Sequence, residues 1–237
     1  MSSDLIVTVL PTVVLTGITD VFSLYSAYLS LSVRRGLAVP VYKSRALWMA
    51  LLGVSAAIVF TYDGLAVVFP TSSLASVETR EILFAIPLGV ILVLIDRTVN
   101  TVIKLDYLRR DVLHWKKLRF VFGAVVVLFY ILYYSRYVYF LPDAQGFALA
   151  MYFPALAYGA LAIAKGTTLT RDLTFRSHVR WFAYLLLMFI AANVLYFLPI
   201  PLAVDYFFFT LAAFCVYKMS RFLVPTGKLS TQTPISA

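Results

Sequence analysis

The chain has 237 residues, of which 62% are hydrophobic and 13% are charged, and its formal net charge at pH 7 is +9. An average soluble domain contains about 25% charged residues and keeps a large share of its residues in contact with water. This composition therefore excludes an ordinary soluble domain and predicts an integral membrane protein. The single cysteine, Cys215, lies in an apolar run, so we expect a buried and unreactive thiol.

Apolar runs along the chain are long enough to cross roughly 30 Å of hydrocarbon, which takes about 20 residues in a helix. They predict an all-α protein with a seven-helix transmembrane bundle and spans at 5–33, 45–70, 77–99, 119–141, 146–165, 179–199 and 201–223. We expect one transmembrane domain over residues 1–225. The polar residues 226–237 predict a short disordered tail in the cytoplasm.

The distribution of basic residues predicts the orientation of such a bundle. With seven spans, all of the 20 Lys and Arg residues except Arg80 and Arg136 would fall on one side of the membrane. Basic loops stay in the cytoplasm, so the N-terminus is expected outside and the C-terminus inside, in a multi-pass protein of the cell membrane. Basic loops also attract anionic lipids, and the net charge therefore predicts no nucleic-acid partner.

The first predicted helix carries a stripe of small and polar residues at spacings of three and four. The stripe consists of Thr12, Thr16, Asp20, Ser23, Ala27 and Ser30. Small residues let transmembrane helices approach closely, so the stripe predicts a packing seam. A carboxylate in the membrane is costly and is often functional, so a ligand or proton role for Asp20 is the alternative.

Acidic residues gather near the predicted outer ends of three helices. These acids, Asp63, Glu81 and Asp205, would lie at one depth and are the candidate catalytic carboxylates. Acids also cap helix N-termini, which would account for Glu81 and Asp205 but not for Asp63. Arg136 is expected to pair with one of them. Aromatic residues at the same depth predict a ligand pocket lined by Tyr62, Tyr130, Tyr134, Arg136 and Phe209.

A weak internal repeat accompanies these acids. Residues 65–70 and 194–199 are both apolar and end in proline, and each is followed by an acid that opens the next apolar run. A duplicated three-helix unit with one linker helix would give a three-plus-one-plus-three arrangement.

Metal and haem sites need several ligands at workable spacing. The two histidines, His114 and His178, both fall at predicted cytoplasmic edges. We therefore predict no metal site and no cofactor.

Two stretches resemble microbial rhodopsins. Residues 81–88 are similar to the third helix of that family, because an acid, Leu-Phe and Pro-Leu follow each other at the same spacing. Residues 181–184 resemble its sixth helix. Members of the family attach retinal to a lysine in the middle of helix seven, whereas Lys218 would lie near the cytoplasmic end here. The resemblance implies a non-enzymatic receptor or a structural subunit of a membrane complex, without covalent retinal.

The acid motifs are similar in order and placement to those of archaeal-type lycopene cyclases. The similar stretches are residues 62–64, 81–84 and 201–208, although the paired acids of that family are single acids here. This resemblance implies a pocket toward the outer face that binds or converts an isoprenoid or carotenoid-type lipophile. If the protein is an enzyme, it would be a non-redox cyclase or isomerase that uses carboxylates. Membrane lipids, a second copy of the chain or a membrane complex are the other expected partners.

Overall fold

The computed structural model describes residues 3–37, 40–70, 77–104, 173–195 and 201–232, together with six positions between 124 and 135. Every regular element within the long ranges is an α-helix. The five helices are α1 (Ser3–Arg34), α2 (Pro40–Val68), α3 (Val77–Lys104), α4 (Leu173–Leu195) and α5 (Leu202–Gln232).

The helix boundaries follow from local chemistry. α1 ends on the basic Arg34, which suits the negative end of the helix dipole, and a turn closes there with a 3.0 Å bond from Gly36 N to Val33 O. α2 begins at Pro40, since proline is tolerated at the first helical position. α5 begins with a 2.9 Å bond from Val204 N to Pro201 O.

The seven-helix bundle expected from the sequence is wrong, because the described part of the chain contains five helices. Three of them hold a stretch that is long and apolar enough to cross a membrane: Val9–Arg34, Tyr42–Val68 and Leu202–Leu223. These three helices indicate a membrane protein. The predicted orientation and the three-plus-one-plus-three repeat both required seven spans, so neither prediction holds.

Within the described residues, α3 and α4 hold no candidate span. The apolar stretch found in α3 is Ile86–Ile95, shorter than the roughly 20 residues of a span, and charged residues such as Glu81 and Asp96 flank it. α4 carries Arg176 and Arg180 in its first two turns. The predicted span at 146–165 and most of the one at 119–141 lie outside the described residues.

The end of α5 also differs from the expected disordered tail. The helix continues to Gln232, so residues 226–232 are helical, while 233–237 lie outside the described residues.

The helices pack in a fixed order around α1 and α5. α1 lies against α2 and α5, α2 lies against α3, and α4 lies against α5. Hydrogen bonds of 2.9 Å join Thr19 to Thr210 and Ser30 to Ser220, so α1 and α5 run in the same direction. The main apolar core consists of side chains from α2 to α5 and includes Cys215, which is buried as predicted.

The packing seam predicted on α1 is confirmed. Its Thr12, Thr16, Ser23, Ala27 and Ser30 side chains are all buried. α2 approaches them closely through two glycines, since a Cβ atom at Gly53 would lie 3.1 Å from Ala27 Cβ and one at Gly64 would lie 3.0 Å from Thr16 Oγ1. Small side chains therefore allow this close contact, as expected for helices that pack within a membrane.

Candidate functional site

A buried acid and a buried tyrosine meet where α2 ends and α5 begins. The Tyr206 hydroxyl donates a hydrogen bond of 3.0 Å to Asp63 Oδ2. Asp63 is 3% exposed and Tyr206 is 2% exposed. Asp205, the neighbour of Tyr206, is also buried in the first turn of α5, where the helix dipole favours an acid. Two of the three predicted carboxylates therefore lie at the same end of the helices.

Aromatic rings from four helices surround this end of α5. The Tyr206 ring lies 6.3 Å from the rings of Phe60 and Phe209, measured between centroids. The Phe209 ring also lies 5.3 Å from Phe60, 5.7 Å from Phe84 and 6.0 Å from Phe189. Phe209 is therefore the centre of a cluster that joins α2, α3, α4 and α5, and most of its ring pairs are edge-to-face or tilted, as aromatic side chains prefer.

A cavity lies beside the aromatic cluster and has a volume of about 40 Å³. Its walls include the four phenylalanines of the cluster together with Leu52, Pro87, Leu185 and Val216. Small side chains at Gly53 and Ala212 leave the space open. Among the described residues that line it, Ser23 carries the one polar side chain and none is ionisable. The cavity is smaller than the roughly 300–1,000 Å³ of typical drug-sized sites, so it suits the end of a ligand rather than a whole molecule.

The other predicted pocket residues are not all brought to this cavity. Tyr62 is partly buried on α2 but is not among the lining residues. Glu81 belongs to α3, but its side chain lies outside the described residues. Tyr130, Tyr134 and Arg136 lie outside them as well, so the ion pair expected for Arg136 stays a prediction.

Asp20 lies away from the cavity, between α1 and α2. Thr61 Oγ1 donates a hydrogen bond of 2.9 Å to its Oδ2 atom. The Oδ1 atom is shielded from solvent and has no hydrogen-bond partner within the described ranges. The carboxylate thus has a single hydroxyl donor.

A second buried polar cluster, which the sequence analysis did not find, joins α2, α3, α4 and α5. Arg45 of α2 donates to Thr98 Oγ1 of α3, and Thr98 donates to Leu94 O at 2.7 Å. His178 Nδ1 of α4 lies 3.2 Å from Met219 O of α5. Because a carbonyl oxygen only accepts, Nδ1 carries the proton, and the buried Nε2 is left as an acceptor.

The two basic members of this cluster, Arg45 and His178, lie at the edges of the predicted spans 45–70 and 179–199. Arg45 and His178 are each 3% exposed. Burial, followed by the positive charge of Arg45, lowers the pKa of His178 well below its ordinary value. A signal for Arg45 was present in the sequence, since it shares a helix face with Met49 and Leu52 at spacings of four and three.

Within the described ranges, no group of three or more His, Cys, Asp or Glu side chains is arranged to hold a metal ion. The most specific chemistry in these ranges is the Asp63–Tyr206 pair beside an apolar, aromatic cavity.

Comparison with known protein families, curated proteins and solved structures finds no match. The resemblances to lycopene cyclases and to microbial rhodopsins therefore stay predictions. The one lysine considered for retinal attachment, Lys218, packs against aromatic rings, with its Nζ atom 5.1 Å from the centroid of Phe214 and 5.9 Å from that of Trp181. It is not among the residues that line the cavity.

Proposed function

We propose that this protein is a multi-pass protein of the cell membrane that binds one end of an isoprenoid-type lipophile in the cavity beside Phe209, without a covalent bond. The observation that carries the proposal is the position of Tyr206. Its ring contacts Phe60 and Phe209, which line the cavity, and its hydroxyl donates to Asp63. The Tyr206 side chain thus connects the polar group of Asp63 to the wall of the apolar cavity.

The lining favours an apolar ligand with flat or branched segments. The four phenylalanine rings offer faces and edges on which conjugated or methyl-branched carbon chains pack well. The absence of an ionisable group among the lining residues that the structure describes argues against a charged ligand end. A volume of about 40 Å³ accommodates only the tip of such a chain, so the remainder would extend between helices toward the lipid.

Conversion of the ligand is the enzymatic form of the same proposal. Asp63 does not line the cavity, so this step requires a ligand chain that extends past Tyr206 to Asp63. There a protonated Asp63 would transfer its proton to a carbon of a double bond, and the resulting Asp63 carboxylate would take a proton from a neighbouring carbon, which completes a non-redox isomerisation or cyclisation. Aromatic rings stabilise a nearby cation by roughly 0.5–2 kcal/mol each, which suits such an intermediate. Glu81 and Asp205 are the further carboxylates that the sequence proposes for this role.

A structural role without a ligand is the second candidate. The hydrogen bond between Tyr206 and Asp63 joins α5 to α2 at buried positions, and such a bond stabilises a helix bundle whether or not a ligand is present. A subunit of a membrane complex would need no more than this.

Titration with all-trans-retinol, an isoprenoid alcohol, tests the proposal on the full chain in lipid nanodiscs. We expect saturable binding to the wild type, and energy transfer from the protein to retinol measures this binding. Ala212→Leu places a larger side chain in the cavity wall and should weaken binding about tenfold or more, because overpacking costs about 1–3 kcal/mol. Phe207→Leu is the matched control on the same helix, since Phe207 is 50% exposed and is not among the residues that line the cavity.

The outcomes separate the two candidates. Binding that is lost in Ala212→Leu and kept in Phe207→Leu supports the ligand site. Absence of saturable binding, or equal binding by both variants, contradicts it and leaves the structural role.

A further inference from the structure

Asp20 occupies an unusual position for an acid in a membrane helix. It lies in the candidate span Val9–Arg34 and is only partly buried. The surrounding side chains that face outward are apolar, with Val21 67% exposed on α1 and Ile58 52% exposed on α2. Ionisable groups within membrane helices usually face the interior of the bundle. Asp20 lies instead at the lipid-facing edge of the seam between α1 and α2.

The contacts of Asp20 are few and neutral. Thr61, itself exposed, is the one described residue that donates to it, through the 2.9 Å bond to Oδ2. The neighbouring Thr19 hydroxyl bonds to Thr210 and to its own helix. The bond between Thr61 and Asp20 Oδ2 is exposed, whereas the Oδ1 atom is shielded. The Oδ2 side of the carboxyl can therefore be reached from the lipid.

Among the described side chains of the packed helices, no charged group neutralises this carboxyl. The acids that α2 and α5 carry toward this end, Asp63 and Asp205, are buried. The basic side chains Arg45 and Lys218 lie in the other half of the helices, where Arg45 contacts Thr98 and Lys218 contacts Phe214. An ionised carboxylate with one hydroxyl donor is costly in hydrocarbon, because a single hydrogen bond does not replace its hydration.

We propose that Asp20 is a proton-binding site that opens to the lipid between α1 and α2. The carboxyl holds a proton while Oδ2 accepts the bond from Thr61. A divalent cation does not fit, since hard cations take about six or more oxygen ligands and the described residues supply only the carboxylate and one hydroxyl here. The site is separate from the cavity and does not depend on the proposed function.

Reaction with dicyclohexylcarbodiimide tests the proposal on the full chain in lipid vesicles. This apolar reagent enters the membrane and modifies protonated carboxyls, because the acid first transfers its proton to a reagent nitrogen and the carboxylate then attacks the central carbon. Peptide mass spectrometry identifies the modified residue. We expect Asp20 to be the main site, with modification that falls as the pH is raised and that a water-soluble carbodiimide does not reproduce.

Three variants make the test specific. Asp20→Asn should lose the adduct, and Asp63→Asn should keep it, because Asp63 is buried in the interface with α5. Thr61→Val removes the hydrogen bond that favours the ionised form, so modification should persist to higher pH than in the wild type. No adduct at Asp20 at any pH, an adduct independent of pH, or equal modification by the water-soluble reagent would overturn the proposal.

Discussion

The Tyr206 hydroxyl donates a 3.0 Å hydrogen bond to the Asp63 carboxylate, and both side chains are buried where α5 meets α2. Tyr206→Phe keeps the ring packing and removes this donor. Loss of one hydrogen bond to a buried acid should lower the free energy of unfolding by about 1–3 kcal/mol. Unfolding by sodium dodecyl sulfate in mixed micelles measures this difference. Tyr184→Phe is the control, since Tyr184 is 43% exposed, and equal stability of the two variants would contradict the role of the bond.

Gly53 and Gly17 provide a matched test of the seam between α1 and α2. Gly53→Ala would push a methyl group against the Ser23 carbonyl oxygen and Ala27, whereas a methyl group at Gly17 meets no atom within 4 Å. We expect Gly53→Ala to destabilise the protein by about 1–3 kcal/mol. Gly17→Ala should stabilise it by about 0.5–1 kcal/mol, because alanine is the better helix former.

Thermal unfolding in detergent distinguishes these two variants. If Gly53→Ala melts at or above the temperature of Gly17→Ala, the close approach of α2 to α1 at this position is wrong.

His178 predicts a pH dependence of stability. Its pKa in the folded protein is held well below 6.5 by burial and by Arg45. Below about pH 6.5 the unfolded chain therefore binds a proton that the folded protein does not, so the free energy of unfolding falls by up to about 1.4 kcal/mol per pH unit. The loss begins as the pH drops through 6.5 and ends at the lower pKa of the folded state.

Melting temperatures at about pH 7 and about pH 5 measure this effect. His178→Gln should reduce the difference between the two temperatures, and His114→Gln, which changes the other histidine, should leave it as in the wild type. A difference that His178→Gln does not reduce would show that other groups cause it.

Lys218 is not expected to form a Schiff base with retinal. Its Nζ atom lies over the rings of Phe214 and Trp181, outside the cavity. Addition of retinal followed by borohydride reduction should therefore modify Lys218 no more than the exposed Lys43. A selective retinyl adduct on Lys218, detected by mass spectrometry and lost in Lys218→Gln, would contradict this placement.

Local patterns predicted several features correctly. Helices occur where five of the predicted apolar runs lie, and the buried residues of α1 have the spacing of three and four that places them on one face. The predicted number of spans was wrong, since the described residues hold three stretches that are long and apolar enough to cross a membrane.

For the polar sites, the sequence predicted some of the buried residues but not their contacts. Asp63 and Asp205 were assigned to one depth, and both are buried near Tyr206. Phe209, one of the predicted pocket residues, lines the cavity, whereas Tyr62 does not. The Tyr206 bond was not predicted, since it depends on the contact between α2 and α5. The cluster of Arg45 and His178 was missed because its members are more than 100 residues apart and each lies near a helix end.

Composition and periodicity were enough to predict a helical membrane protein in which one face of α1 packs closely. Composition and periodicity carry this information because they act within a single helix. The helix packing was needed to show that Asp63 bonds to Tyr206 in the interior and that Asp20 lies beside Thr61 between α1 and α2. The rotation of each helix about its axis is set by the packing of all its faces against other helices, and these contacts join residues far apart in the chain.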